Sequence, residues 1–277
     1  MNSFSANVKN ELAELNNLAK KDQVAAELAG YLFANDSNVF STESQYNINR
    51  YGKLLSNCNI NSFTIEVKGK KFIIKTKAIP HYKTEYEKEA EIKAFVRGTF
   101  MANGSINNPQ SVYHLEINFN TKEKAELIKE YLSKFDIQVK IVKKGNYYTI
   151  YIKDGNVIAN FLAFIDANKS VLEFEDIRVM KEVRNTINRQ VNYETANLNK
   201  VVSTSVKQIE DIKYIKKKRK FDKLSEKEQE LAEIRLKNPN LSLVELGKLV
   251  TPEISKSGVN HRMANISKLA NELRKGE

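Results

Sequence analysis

The sequence predicts an α+β protein, a pseudo-symmetric duplicated α/β domain followed by an all-α domain, and three observations predict it. Two apolar stretches, 25–36 and 94–104, each place a glycine ahead of a bulky run that closes on Ala-Asn. After each comes the same order of strand, helix and hairpin, and a duplicated unit of that kind builds one domain with internal two-fold symmetry. Beyond residue 222 the pattern changes to three short helices without strand alternation.

Taken in order, Ser3 caps a first helix whose Phe4, Val8, Leu12 and Leu15 form a stripe at helical spacing. The second helix spans 21–36. Its small residues Ala26, Ala29, Gly30 and Ala34 recur at spacings of three and four, which leaves one face nearly bare of side chains. Glycine inside a helix costs about 1 kcal/mol against alanine, so Gly30 calls for the close approach of another backbone. The partner is 87–103, where Gly98 occupies the matching position. Between them lie a strand at 39–42, a helix at 49–57 with Tyr51, Leu54, Leu55 and Cys58 on one face, and a hairpin of 62–67 and 72–76 across Lys68-Gly69-Lys70-Lys71. The second half follows suit: a turn at Asn103-Gly104-Ser105, a strand at 113–119, and a helix at 122–135 with Ala125, Ile128, Leu132 and Phe135 inward. A hairpin of 138–142 and 147–152 then closes it across Lys143-Lys144-Gly145-Asn146. The repeats therefore cover about 21–78 and 87–152, and 156–164 adds a helix able to cover a sheet. On the outward face of the strands the reading places Lys68, Lys70, Lys71, Lys75, Lys77, Lys140, Lys143 and Lys153 with Tyr148 and Thr149, a basic surface suited to a phosphate backbone.

Two more helices follow, 173–189 with Ile177, Met180, Val183 or Arg184, and Ile187 inward, and 200–214 with Val202, Val206, Ile209 and Ile212 on a stripe. The polar stretch 191–198 between them reads as irregular. The first domain is set at 1–195, a helical and basic linker at 196–222 containing Lys217, Lys218 and Arg219, and the last domain at 223–277. That domain opens with a capping box, Ser225 with Glu228, on a helix to about residue 237, and Asn238-Pro239 stops it. A second box, Ser242 with Glu245, starts a helix over 243–250. After Thr251-Pro252-Glu253, Ser255 or Ser257 caps a third helix to about 273. A short second helix and a tight turn before the third are the pattern of a helix-turn-helix. Leu231, Ile234, Leu243, Leu246, Leu249, Val259, Met263 and Ile266 point inward. The opposite face of the last helix then carries Ser257, Asn260, His261, Asn265 and Lys268, flanked by Lys256 and Arg262, the residue types that contact base edges and phosphates.

Composition bounds the function. The 277 residues carry a formal charge of +11, with 41% apolar residues. Of the 45 basic and 34 acidic residues, 16 and 9 lie from Lys213 onward, a net +7 there against +4 in the first 212. Charge of this sign favours a polyanionic partner such as nucleic acid or an anionic membrane surface, and its concentration in the helix-turn-helix part makes double-stranded DNA the partner expected. The lone Cys58 excludes an internal disulfide. His81, His114 and His261 show no metal-ligand spacing, and no phosphate-binding glycine loop or nucleophile motif appears, so neither metal nor cofactor is expected. Residues 1–20 do not read as a signal peptide, and no apolar run is long enough for a membrane span. The expected setting is the cytoplasm, in association with the nucleoid.

Leu28-Ala29-Gly30-Tyr31-Leu32-Phe33-Ala34-Asn35-Asp36 and the weaker copy Val96 to Gly104 resemble the twin motif of the LAGLIDADG homing endonucleases. In that family the acid at the eighth position of each copy holds the catalytic metal ions. Here those positions are Asn35 and Asn103, and a neutral amide does not supply the charge a hard cation needs. With Ser3-Phe4-Ser5, Leu172-Glu173-Phe174-Glu175, the run from Asn188 to Leu198, and Ser255 to Arg262, nearly the whole chain is similar to the bacterial WhiA family. The resemblance implies a degenerate LAGLIDADG domain joined to a helix-turn-helix, in a DNA-binding transcriptional regulator of sporulation or of cell division and chromosome segregation. The chain departs from the family in Tyr193, where a cysteine is expected, and in a short span between the first motif helix and its hairpin. The reading is a non-enzymatic DNA-binding protein concerned with division and segregation. The alternative is an active LAGLIDADG endonuclease or RNA maturase. A third reading makes the first domain a docking platform, for instance for RNA polymerase.

Overall fold

The computed structural model describes residues 3–275. Its centre is a pair of crossed helices, α2 (Lys21–Asn35) and α4 (Glu89–Asn103). A Cβ on Gly30 would lie 2.1 Å from the carbonyl oxygen of Phe95, and one on Gly98 would lie 2.0 Å from that of Glu27. The two glycines thus allow the backbones to touch, as the bare face in the sequence requires. Beside the crossing, Glu27 is fully buried. Arg50 donates to its carboxylate through Nε at 2.8 Å and Nη2 at 2.9 Å, and Arg97 through Nε at 3.0 Å. Arg97 also meets Asp166 at 2.5 Å. Burial alone would raise the carboxyl pKa of Glu27, but the two guanidinium groups hold it below the ordinary carboxylate value.

Each central helix leads into an antiparallel sheet. After α1 (Phe4–Ala13) and α2 come β1 (Val39–Thr42), α3 (Gln45–Asn57), β2 (Phe63–Lys68) and β3 (Lys71–Thr76), with strand order β1-β3-β2. After α4 come β4 (Gly104–Ile106), β5 (Leu115–Phe119), α5 (Lys122–Ser133), β6 (Lys140–Lys144) and β7 (Tyr147–Ile152), with order β4-β5-β7-β6. The halves match as β1 with β5, β3 with β7 and β2 with β6. The second half has one strand more. That strand, β4, covers the expected turn at Asn103-Gly104-Ser105: Gly104 adopts an extended backbone and pairs with Ile117, so the chain leaves α4 directly into the sheet. Next, α6 (Gly155–Phe164) starts under Asp154, whose side chain accepts from the amides of Asn156 and Val157.

The last helix of this part is α7 (Asn168–Lys217), which replaces the two expected helices and the irregular 191–198 between them. No glycine or proline occurs between Asn168 and Lys217, so nothing in the backbone breaks the helix, and polar composition there reflects solvation only. The expected inward stripe is corrected in part: Met180, Val183, Ile187, Val202 and Val206 are exposed, Ile212 is buried as expected, and Phe174 and Ile215 are buried as well. The start of α7 is capped by Glu11 of α1, which accepts from the amides of Lys169 at 2.7 Å and Ser170 at 2.8 Å.

The chain divides into two units, 1–183 and 184–277, each with its own core. In the second unit α7 ends at Lys217 and a short 3-10 turn follows at Phe221–Lys223. Three helices complete it, α8 (Glu226–Lys237), α9 (Leu243–Leu249) and α10 (Lys256–Lys275). Both predicted capping boxes form. Leu231, Leu246, Val259, Met263 and Ile266 are buried as predicted. Leu249 is exposed, because α9 ends there and the next residue, Val250, turns in.

Candidate nucleic-acid interface

The second unit presents one polar helix face. Gly247 in α9 lies where a Cβ would stand 2.2 Å from the carbonyl oxygen of Ile254, and that close approach sets the turn into α10. The amide of Ile254 donates back to Gly247 at 3.0 Å. Of the two candidate caps, Ser255 is the one that serves, accepting from the amide of Gly258 at 3.3 Å. With Val259, Met263 and Ile266 fixed in the core, the outer face exposes Lys256, Ser257, Asn260, His261 and Lys268. Asn265 and Arg262 sit at its flank and are engaged within the unit. The Asn265 amide donates to Glu228 at 2.9 Å and Arg262 donates to the Lys227 carbonyl at 3.4 Å, so both are held against the start of α8. Lys217 and Arg219 are exposed at the end of α7, where Arg219 takes a left-handed conformation, while Lys218 lies over the Tyr214 ring at 5.6 Å.

In the first unit, the ends of α2 and α4 are closed by the two motif amides. The Asn35 side chain donates to the carbonyls of Ser37 at 3.2 Å and Val39 at 2.8 Å. Asn103 donates across the crossing to the Ala34 carbonyl at 2.6 Å and to Asn118 at 3.2 Å. Both amides act as donors to backbone carbonyls, a task a carboxylate cannot perform. The nearest acid, Asp36, caps α2 in a left-handed conformation and is bound by Asn120 at 2.5 Å and Lys124 at 3.1 Å. Those contacts, the Asn120 hydrogen bond first, hold its pKa below the usual value. The residues at these helix ends do not fit a divalent cation. Among the described residues no group of three or more His, Cys, Asp or Glu is placed to hold a metal.

The register corrects the outward sheet face. Tyr148 pairs with Phe119 and Lys143 with Tyr148, so both belong to the face that carries the buried Leu115 and Ile117. Thr149 does lie on the other face but is fully buried, donating to Asn118 at 2.6 Å. That face shows Lys140, as expected, and with it Lys144, Tyr147 and Tyr151, which alternation counted from Lys140 would have found. It also holds its own acid: Glu116 meets Lys144 at 2.7 Å and His114 at 3.0 Å, and Glu66 in the other sheet meets Lys68 and Lys75, each at 3.5 Å.

These features define a class, a LAGLIDADG-like domain with amide-sealed helix ends joined to a helix-turn-helix unit. Family models match on both sides, the WhiA LAGLIDADG-like domain over residues 92–184 and the WhiA C-terminal HTH domain over residues 187–270. The chain belongs to the WhiA family. It is 46% identical to the "Probable cell division protein WhiA" of Caldicellulosiruptor saccharolyticus over 184 residues, which are 66% of this chain and 57% of that relative. The Clostridium botulinum protein of the same name is 44% identical over 66% of this chain and 58% of its own length. The chain thus spans little more than half the length of these curated relatives. The crystal structure of full-length DUF199/WhiA from Thermotoga maritima matches with a TM-score of 0.62 at 29% identity, covering 98% of this chain and 99% of that one. The structure of the N-terminal LAGLIDADG domain of DUF199/WhiA matches with a TM-score of 0.53 at 28% identity, over 60% of this chain and 93% of that one. Among the described residues no helix is long and apolar enough to cross a membrane.

Proposed function

We propose that this protein is a DNA-binding transcriptional regulator, acting in cell division and chromosome segregation, that does not cut DNA. The observation that carries the reading is the exposed face of α10, where Lys256, Ser257, Asn260, His261 and Lys268 stand together on a helix whose other face is locked in a core. A helix of that make-up fits a major groove, with Asn260 suited to adenine and the lysines to guanine or phosphate. The part in cell division is supported by the name of the curated relatives. Absence of cleavage is supported by Asn35 and Asn103, whose amides serve backbone carbonyls. The first unit acts as a second binding surface or as a scaffold for partners such as RNA polymerase. Its sheet lysines are partly neutralised by Glu66 and Glu116, which suits the scaffold role. The protein works in the cytoplasm on the nucleoid, and needs no cofactor. Selection of bound duplexes from a random DNA pool, with magnesium present, tests this. An enriched motif on intact DNA, lost when Asn260 and His261 become alanine, is the expected result. Cut products that follow the protein through purification overturn it.

A further inference from the structure

We infer that the helical unit binds a small anionic ligand with an apolar body, in a cavity of about 360 Å³ walled by α7, α8, α9 and the start of α10. The case starts from Arg235. It is 1% exposed, and its Nη1 donates to the Leu241 carbonyl at 2.7 Å while its Nε meets no hydrogen-bond partner. Its other polar neighbours, Ser205, Asn238 and Pro239, are neutral acceptors at 3.5 Å. A buried guanidinium without a carboxylate carries an uncompensated charge, which folding avoids unless something else supplies the counter-charge. Burial lowers its pKa, yet an arginine so placed stays protonated at neutral pH. The cavity that Arg235 lines adds Lys200 and Lys256 and contains no Asp or Glu, so it offers three positive groups and no negative one.

The remaining walls choose the rest of the ligand. Val201, Leu243 and Val244 present apolar surface beside the charged end. The volume falls in the range of small-molecule pockets, roughly 300–1,000 Å³. A planar guanidinium fork suits a phosphate or carboxylate head. An apolar body then gains by leaving water against Val201 and Leu243. A phosphate of the DNA backbone offers the same head without the body, and the two sources are separable.

The test is isothermal titration of the full chain, without DNA and at constant ionic strength, with phenyl phosphate and with inorganic phosphate. Because no DNA is present, the result is independent of whether α10 reads a duplex. We expect phenyl phosphate to bind about tenfold more tightly than inorganic phosphate, in proportion to the ring area it buries. Lys200→Ala should weaken it severalfold and Arg235→Met should abolish it, with circular dichroism confirming the fold. Should Arg235→Met fail to fold, Val201→Trp, which fills the cavity from its apolar side, carries the same expectation of lost binding. Absence of heat at millimolar probe, or binding that Lys200→Ala and Val201→Trp leave unchanged, overturns the inference. So does equal affinity for the two probes, which would show that the apolar walls take no part and would leave the site to a bare phosphate such as that of a nucleic-acid backbone.

Discussion

At the scale of single residues, Gly30 and Glu27 decide the most. A methyl group at Gly30 would sit 2.1 Å from backbone that belongs to the opposite helix, so neither partner relaxes without separating the pair. Gly30→Ala therefore loses roughly 3 kcal/mol or more from overpacking, although the same change in a free helix gains about 1 kcal/mol; urea unfolding of the two proteins measures the sign. Glu27 adds a pH dependence. Its folded pKa lies below its ordinary value of 4.5. The stability it contributes is thus present in full above 4.5 and is lost as pH falls through the lowered folded value. Glu27→Gln leaves Arg50 and Arg97 buried without their shared carboxylate, at a cost of about 3–5 kcal/mol near neutrality. The gap between parent and variant in thermal unfolding should close as pH drops below 4.5; a gap constant with pH would remove Glu27 from the acid transition.

At the scale of elements, the proposed duplex contact rests on α10, whose residues would have separate tasks. Asn260→Ala should cost about 1–3 kcal/mol on a selected duplex and relax the preference at one base pair. Lys268→Ala should weaken all duplexes alike and reduce the slope of log affinity against log salt by about 0.9. Fluorescence anisotropy at several salt concentrations distinguishes the two. Local pattern is enough to find the last three helices of the second unit, since two capping boxes and a proline stop mark the ends of α8 and α9 by chemistry that acts within four residues. The motif helices were legible for the same reason, because Gly30 and Gly98 are costly unless something touches them. Elements whose extent depends on distant partners were harder to read. Gly104 and Ser105 look like a turn and become strand only because β5 lies alongside. The polarity of 191–198 suggested a break, while helix continuity there follows from the absence of any breaker over fifty residues. Lys143 and Lys144 are one position apart, and only the pairing of β6 with β7 says which faces away from the core. On the outer side of α10, Asn265 and Arg262 are found by helical spacing, but their hold on α8 depends on a neighbour that spacing does not show.

At the scale of the whole molecule, one chain combines a helix-turn-helix with a LAGLIDADG-like domain whose helix ends are closed by amides. The double change Asn35→Asp with Asn103→Asp restores the motif letters. It also removes the donors that serve Val39, Ala34 and Asn118 and adds negative charge at two helix C-termini, where the dipole disfavours it. Each lost donor leaves a carbonyl unsatisfied, at roughly 1–3 kcal/mol. The double variant should melt well below the parent and leave supercoiled plasmid intact with magnesium; a plasmid nicked by it at parental stability would refute this. The amides at 35 and 103 thereby make the helix crossing itself depend on two neutral donors. A change of letters at either position is a change in what holds the domain together, so charge cannot be introduced at the helix ends without weakening the frame that would have to carry it.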